Sequence, residues 1–123
     1  RIERVIRNLV VNAIEHADGT DVTITVATSD TDVACRVRDR GVGMTQEVAD
    51  HVFDRFYRAD TARARTTGGT GLGLAIATED VAIHGGRLQA YGEPGKGASF
   101  LMTLPKHPGD EIATWPLTLW EDE

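Results

Sequence analysis

Residues 66–76 have the sequence TTGGTGLGLAI, a glycine-rich loop that leads directly into an apolar, helix-forming run. Four glycines fall within six residues, and glycine lets a backbone adopt unusual angles and approach a bulky ligand closely. The N-terminus of the following helix presents unpaired N–H groups and a partial positive charge, which together bind phosphate. Glycine clusters also form ordinary flexible loops, so the segment alone leaves both interpretations open.

The composition limits the classes of protein to which this chain can belong. Its 123 residues, 41% hydrophobic and 26% charged, are typical of one globular domain with a modest core. A net charge of −6 argues against a nucleic-acid partner, and no apolar run approaches the roughly 20 residues that span a bilayer. The single cysteine, Cys35, rules out an internal disulfide and is compatible with the cytoplasm. Because the chain begins inside a helical pattern, we expect it to be part of a longer protein.

The first element is predicted to be a helix over residues 2–17, because its apolar residues, Ile14 among them, recur at helical spacing. Its other face carries Asn8, Asn12 and His16, each four residues after the last, so these side chains form one stripe. Asparagine is a poor helix former, and two in register require a reason. They are either solvated or capping amides, or neutral oxygen ligands for a Mg²⁺ ion that accompanies a polyphosphate.

Two strands are predicted next, at residues 22–27 and 33–39, from alternating apolar and polar side chains. The alternation turns Cys35 into the core and also directs Asp39, at the strand end, inward. A buried carboxylate is costly without a partner, and the glycine turn at residues 40–44 opens space beside it. Asp39 therefore either caps this turn or accepts a hydrogen bond from an exocyclic amino group such as that of adenine.

The second half of the chain is predicted to hold two helices and two strands. Thr45 can cap a helix over residues 46–56, and residues 57–70 follow as a long loop without apolar periodicity. Its arginines could close over a triphosphate or could simply be solvated. A helix over residues 72–83, a strand beginning near Leu88 and a strand over residues 98–104 complete the pattern. The acidic tail, residues 106–123, is expected to be poorly ordered or loosely docked, with Trp115 and Trp120 as anchors.

Five of these segments, taken together, resemble the sensor histidine kinases of bacteria, and they follow one another in the order found in that family. They are the asparagine box (residues 8–13), the first glycine box (39–43), the phenylalanine box (53–58), the second glycine box (69–74) and the closing glycine segment (95–100). The lid and the tail are most similar to one actinobacterial type of these kinases. The resemblance covers nearly everything from Asn8 to Leu104.

The resemblance implies an α+β fold, a two-layer α/β sandwich of the Bergerat type. A mixed sheet would be covered on one face by helices, with a mobile ATP lid; residues 1–105 would form the ATP-binding catalytic domain and residues 106–123 its tail. The implied cofactors are ATP and Mg²⁺. Asp39 would bind the adenine amino group, Asn12 would ligate Mg²⁺ with Asn8 beside it, and Arg58 would reach the γ-phosphate. The other implied nucleotide-binding residues are His16, Gly41, Gly43, Phe56, Gly69, Thr70, Gly71, Leu72 and Gly73.

The implied partners are a histidine on a separate dimerisation domain of the parent kinase and, through that kinase, a response regulator, without direct membrane contact by this part. None of His16, His51, His84 and His107 is followed by an acidic residue, so we do not expect the chain to phosphorylate itself. Glu15 stands where many relatives have a basic residue. An anti-sigma-type serine kinase of the same fold and a non-catalytic nucleotide-binding module remain as alternatives. ATP hydrolases of this fold carry a glutamate base where this chain has Asn8.

Overall fold

The computed structural model describes residues 2–17, 19–54 and 73–120 of the chain. It contains three helices, α1 (Ile2–Ala17), α2 (Gln46–His51) and α3 (Gly73–Ile83), within those residues. The strands are β1 (Val22–Thr28), β2 (Asp32–Asp39), β3 (Arg87–Glu93) and β4 (Gly97–Pro105). Each described element falls where the sequence predicts one.

The four strands form one sheet in the order β1-β2-β4-β3, and every described pairing is antiparallel. The described part therefore lacks the mixed pairing that the resemblance implied. The crossover from β2 through α2 and α3 does bring β3 back parallel to β2, as such crossovers do. However, β4 lies between these two strands and pairs with both, so the parallel strands never become neighbours.

The core lies between the sheet and helices α1 and α3, which cover one of its faces. The inward residues of β2 and β4 alternate with outward ones, as the period of two requires. Cys35 is 5% exposed and belongs to this core, and burial raises the pKa of its thiol. The predicted core position of Cys35 is thus confirmed. The fully packed cluster consists of Val5, Leu9, Ala13, Cys35, Val37, Ala77, Val81, Ala98, Phe100 and Met102.

Helix α1 begins and ends within the predicted range, and its fourth-residue spacing places Val5, Leu9, Ala13 and Ala17 in the core. Ile14 was predicted on the same apolar face, and this was wrong, since its side chain is 60% exposed. A position one residue beyond Ala13 is rotated by about 100° around the helix. That rotation turns Ile14 away from the core face of α1.

Helix α2 is shorter than predicted, but its start and the end of α3 carry the expected signals. Thr45 caps α2 by accepting a hydrogen bond from the N–H of Val48 at 3.3 Å. The helix ends at His51 rather than continuing to residue 56, because the N–H of Asp54 bonds back to the His51 carbonyl in a turn. Helix α3 ends in the predicted glycine cap, with Gly85 at φ +76°. The loop predicted to be an ATP lid lies outside the described residues.

The tail crosses the face of the sheet that the helices leave uncovered. Of its two tryptophans, Trp115 is 52% exposed, whereas Trp120 packs edge-on against Tyr91 of β3 with 5.0 Å between ring centroids. Trp120 is therefore an anchor and Trp115 is not. The tail also forms hydrogen bonds with side chains of β2 and β4.

Candidate functional site

The side chain of Asp39 lies at the C-terminal end of β2, on the sheet face that packs against the helices, and is 1% exposed. Its Oδ1 accepts a hydrogen bond from the N–H of Gly41 at 3.0 Å, so Asp39 does cap the turn. Its Oδ2 is buried and has no hydrogen-bond partner among the described residues. The Asp39 carboxylate thus uses one oxygen to hold the loop, and its second oxygen can accept a hydrogen bond from another group.

Two other buried side-chain oxygens of the described residues are also without partners, Asp32 Oδ1 and Thr103 Oγ1. By strand parity both belong to the opposite face of the sheet, which the tail covers. Of these three unpartnered oxygens, Asp39 Oδ2 is therefore the one on the sheet face that the helices cover. An unsatisfied buried acceptor costs free energy, and in a native structure it points to a missing ligand or water.

The loop after Asp39 is clamped between the end of α1 and the turn that joins β3 to β4. Gly41 packs so closely on α1 that a β-carbon there would lie 2.8 Å from the Ala17 Cα. Gly43 has φ +77°, and a β-carbon there would lie 2.8 Å from the carbonyl carbon of Glu93. The N–H of Gly95 also bonds to the Val42 carbonyl at 2.9 Å. These contacts explain why both loop positions are glycine and set Asp39 beside the C-terminal end of α1.

The polar stripe of α1 flanks the same region. Asn8, Asn12 and His16 are all half-buried, whereas Val11, on a different side of the helix, is 47% exposed. The stripe therefore follows the boundary between the core face of α1 and solvent, and His16 contributes the carbonyl against which Gly41 packs. The packing brings His16, Asp39 and Gly41 together at the C-terminal end of α1. Asn8 and Asn12 continue the same stripe of that helix toward its N-terminus.

Several predicted site residues lie outside the described residues: Phe56, Arg58, Gly69, Thr70, Gly71 and Leu72. Gly73 is described as the first residue of α3. That helix is tied to α1 by an ion pair between Arg4 Nη2 and Asp80 Oδ2 at 2.8 Å, in which the Asp80 side chain is 6% exposed. The helix that follows the predicted phosphate loop is thus fixed against the helix that carries the asparagines.

The donor set suits a magnesium ion that arrives with its nucleotide better than a metal held by the protein alone. Among the described residues no group of three or more His, Cys, Asp or Glu side chains could hold a metal ion. The α1 stripe offers neutral amide oxygens instead, and Mg²⁺ in nucleotide sites takes few protein ligands and several phosphate and water oxygens. The residues present therefore fit a Mg²⁺–nucleotide complex.

Arg38 was not predicted as a site residue; its side chain lies on the face of β2 opposite the core. Its guanidinium Nη1 donates to the carbonyl of Lys96 at 3.0 Å and to that of Asp39, and it lies over the ring of Trp120 at 4.0 Å from the centroid. Strand alternation and the tail tryptophans were both visible in the sequence. Nothing in the sequence indicated that they meet.

The chain is similar to proteins of one known family. Residues 1–108 match the family described as histidine kinase-, DNA gyrase B- and HSP90-like ATPase. The chain is 50% identical, over 97% of its length, to the sensor histidine kinase MtrB of Mycobacterium tuberculosis, and 44% identical over 88% of its length to the histidine-protein kinase AfsQ2 of Streptomyces coelicolor. It spans 20–21% of the length of these two relatives. The similarity to an actinobacterial type is thereby confirmed.

Two solved structures share the fold. The crystal structure of full-length ShkA in complex with AMPPNP matches 85% of this chain, and 21% of that chain, with a TM-score of 0.72 and 30% identity. The mycobacterial sensor histidine kinase MprB matches 85% of this chain and 70% of its own, with a TM-score of 0.71 and 28% identity. The predicted α+β architecture is thus confirmed. No helix in the described ranges is both long and apolar enough to cross a membrane.

Proposed function

This chain belongs to the family of histidine kinase-, DNA gyrase B- and HSP90-like ATPases, and we propose that it is the ATP-binding catalytic domain of a two-component sensor histidine kinase. Its relatives over most of the chain are named as sensor, sensor-like or signal-transduction histidine kinases, which disfavours the serine-kinase alternative. We place the domain at residues 1–105, the tail at residues 106–123, and the whole in the cytoplasm.

The observation that carries the proposal is the unpartnered Oδ2 of Asp39 on the helix-covered face. A carboxylate only accepts hydrogen bonds, and the exocyclic amino group of adenine donates them. Guanine presents a carbonyl oxygen at the equivalent ring position, which the carboxylate would repel. Asp39 would therefore both bind the adenine base and reject guanine, while its Oδ1 keeps the loop in place through Gly41.

The phosphate end of the site would be formed along α1 and at the start of α3. Asn12, with Asn8 beside it, would supply a neutral amide oxygen to Mg²⁺ without repelling the triphosphate, and His16 would lie nearer the base. Bound Mg²⁺ would neutralise charge on the phosphates and orient them. By the family resemblance, Gly69, Thr70, Gly71, Leu72 and Gly73 would cradle the phosphates, Phe56 would contact the nucleotide, and Arg58 would reach the γ-phosphate.

The phosphoryl acceptor would be a histidine on a separate dimerisation domain of the parent kinase, which would then pass the group to a response regulator. None of the four histidines of this chain is directly followed by the acidic residue expected after such an acceptor. Direct hydrolysis of ATP is not supported, because Asn8 stands where the hydrolases of this fold have their glutamate base. The domain would accordingly bind Mg·ATP, and phosphoryl transfer would require the histidine of the dimerisation domain.

Calorimetric titration of Mg·ATP and Mg·GTP into the chain and into Asp39→Asn tests the proposal. We expect ATP to bind and GTP to bind far more weakly. In the variant an amide donor can face the adenine donor, so ATP affinity should fall roughly tenfold to a hundredfold. Asp30→Asn, which changes an exposed aspartate in the β1–β2 turn, is the matched control. Equal ATP affinity in wild type and Asp39→Asn would contradict the assignment.

Phosphoryl transfer is tested with labelled ATP. The chain alone should acquire no acid-labile label, and transfer should begin when the dimerisation domain of the parent kinase is added in trans. The rate should be low, because the covalent link normally provides a high effective concentration. Label on the isolated chain would show that one of its own histidines accepts the phosphoryl group.

A further inference from the structure

The sheet face opposite the helices carries a row of polar side chains that are buried by the tail. Asp32 is fully buried and Arg36 and Arg38 are 8% and 9% exposed. The tail supplies their partners: the N–H and hydroxyl groups of Thr114 donate to Asp32 Oδ2 at 2.7 and 2.8 Å, and Arg36 Nη1 donates to the Thr118 carbonyl at 2.9 Å. The tail is therefore held along β2 by specific hydrogen bonds.

The described contacts of the tail extend to Trp120, beside the end of β2 that carries Asp39. Ser99 Oγ donates to the carbonyl of Leu119 at 2.6 Å, which fixes the backbone next to the tryptophan. The Trp120 ring then lies between the Tyr91 ring, at 5.0 Å and 72°, and the Arg38 guanidinium, at 4.0 Å. An aromatic face stabilises a guanidinium stacked over it, more strongly where water is excluded.

Arg38 connects this contact to the adenine side of the sheet. Its Nη1 donates to the backbone carbonyls of Asp39 and Lys96, so it joins the end of β2 to the β3–β4 turn. Gly97 leaves room for the arginine there, since a β-carbon on it would lie 2.7 Å from Arg38 Nη1. The backbone carbonyl of Asp39 thus accepts a hydrogen bond from Arg38, on the sheet face opposite the Asp39 carboxylate, and Arg38 in turn packs on the Trp120 ring.

We propose that Trp120 and Arg38 act as a positioning pair for the adenine-binding carboxylate of Asp39, so that docking of the tail strengthens nucleotide binding. The inference rests on the proposed function. Without the ring of Trp120, Arg38 loses one of the contacts that restrict its rotamer, and its hydrogen bonds to the two carbonyls exchange more readily for bonds to water. The end of β2 and the Asp39 loop then lose a constraint on the orientation of the carboxylate.

The coupling must be reciprocal, because linked binding equilibria affect each other by the same factor. Adenine nucleotide should therefore tighten the docking of the tail by the same factor by which the docked tail tightens nucleotide binding. A tail that only adds general stability predicts no such response at Trp120, which lies on the opposite face of the sheet from the Asp39 side chain.

The first test compares Trp120→Ala, Trp120→Phe and Trp115→Ala by calorimetry with ADP and ATP. Loss of an interaction of about 1 kcal/mol corresponds to a roughly fivefold change in affinity. Trp120→Ala should weaken ADP and ATP by this same factor, because the effect acts at the base, and Trp120→Phe should restore most of the affinity. Trp115→Ala, which removes the exposed tryptophan of the same tail, should leave both affinities unchanged.

The second test uses the tail without altering Trp120. Trp115→Phe leaves Trp120 as the single tryptophan, so its emission reports on docking directly. ADP should shift that emission and slow amide exchange in residues 113–120. Failure of the wild type to bind ATP would overturn the proposed function, whereas ATP binding with neither an affinity change in Trp120→Ala nor a response at Trp120 would overturn this inference. If Trp120→Ala fails to fold, the emission and exchange measurements decide.

Discussion

The glycine at position 41 and the backbone of His16 are in contact so close that no side chain fits between them. A β-carbon on Gly41 would overlap the His16 carbonyl oxygen and lie 2.8 Å from the His16 carbonyl carbon. The N–H of the next residue, Val42, approaches the same oxygen at 3.4 Å. The last turn of the asparagine helix and the loop that orients Asp39 are therefore interlocked, and neither can shift alone.

Gly41→Ala should accordingly damage both stability and nucleotide binding. Overpacking of this kind typically costs about 1–3 kcal/mol, and the forced shift would move the N–H that holds Asp39 Oδ1. Gly19→Ala is the control, because its φ of +81° makes alanine strained but nothing lies within 4 Å. Denaturant unfolding and ATP titration should show a loss of ATP affinity only in Gly41→Ala. Similar ATP affinities in the two variants would mean that the interlock does not shape the site.

Asn12→Ala should weaken binding of Mg·ATP more than binding of metal-free ATP. The proposed role of Asn12 is to supply an oxygen to Mg²⁺, and its half-buried place in the α1 stripe is the observation behind that role. Titrations of ATP with Mg²⁺ and with a chelator, in wild type and variant, measure the two losses separately. Val11→Ala, at an exposed neighbouring position, controls for general effects on the helix. Equal losses with and without Mg²⁺ would show that Asn12 does not act through the metal.

Acid should release the tail through protonation of Asp32. Burial alone would raise the pKa of this carboxyl, but hydrogen bonds from Thr31, Thr114 and Ala113 lower it below its ordinary value of 3.8. A carboxylate whose folded pKa is depressed contributes stability above its unfolded pKa and loses that contribution as the pH falls through the folded value. Docking should therefore be complete above about pH 5 and weaken below pH 3.8.

The emission of Trp120 in a Trp115→Phe background follows this release as the pH is lowered. Thr114→Val removes a hydroxyl that donates to Asp32 Oδ2, so it should move the midpoint of release to higher pH. Asp30→Asn, on the same turn but exposed, should leave the midpoint in place. A midpoint that does not respond to Thr114→Val would show that another acid group controls docking.

The parts of this structure that could be predicted are those fixed by local periodicity. The spacing of apolar residues located α1 at its observed bounds, and strand parity alone turned Asp39 inward. The same parity puts Arg36 and Arg38 on the opposite face of β2, where they do lie, but it does not indicate that both are buried there, at 8% and 9% exposure. Their burial depends on tail residues about 80 positions away, and no local pattern encodes such a pairing. The position of β4 between β2 and β3 likewise depends on pairing between segments that are far apart in the sequence.

Glu15 raises the remaining question about the charge of the phosphate site. It lies one turn after Asn12 on α1, is half-buried, and stands where the family often has a basic residue. Helix geometry puts residues three apart on neighbouring positions of one face. Glu15 can therefore face the bound phosphates, or its carboxylate can be engaged by other groups of the protein and be directed away from them.

If Glu15 faces the phosphates, Glu15→Lys should tighten ATP by roughly 1 kcal/mol, because a charge-assisted contact replaces a repulsion and solvent screens both. ATP should gain more than AMP, since the effect acts on the distal phosphates, and the gain should shrink as ionic strength rises. Affinities of both nucleotides at low and high salt measure these differences, with Glu15→Gln separating the removal of the carboxylate from the addition of a cation. An equal gain for AMP and ATP, or no gain, would place Glu15 outside the phosphate site, and charge neutralisation would then fall to Mg²⁺, His16 and the arginines that follow the phenylalanine box.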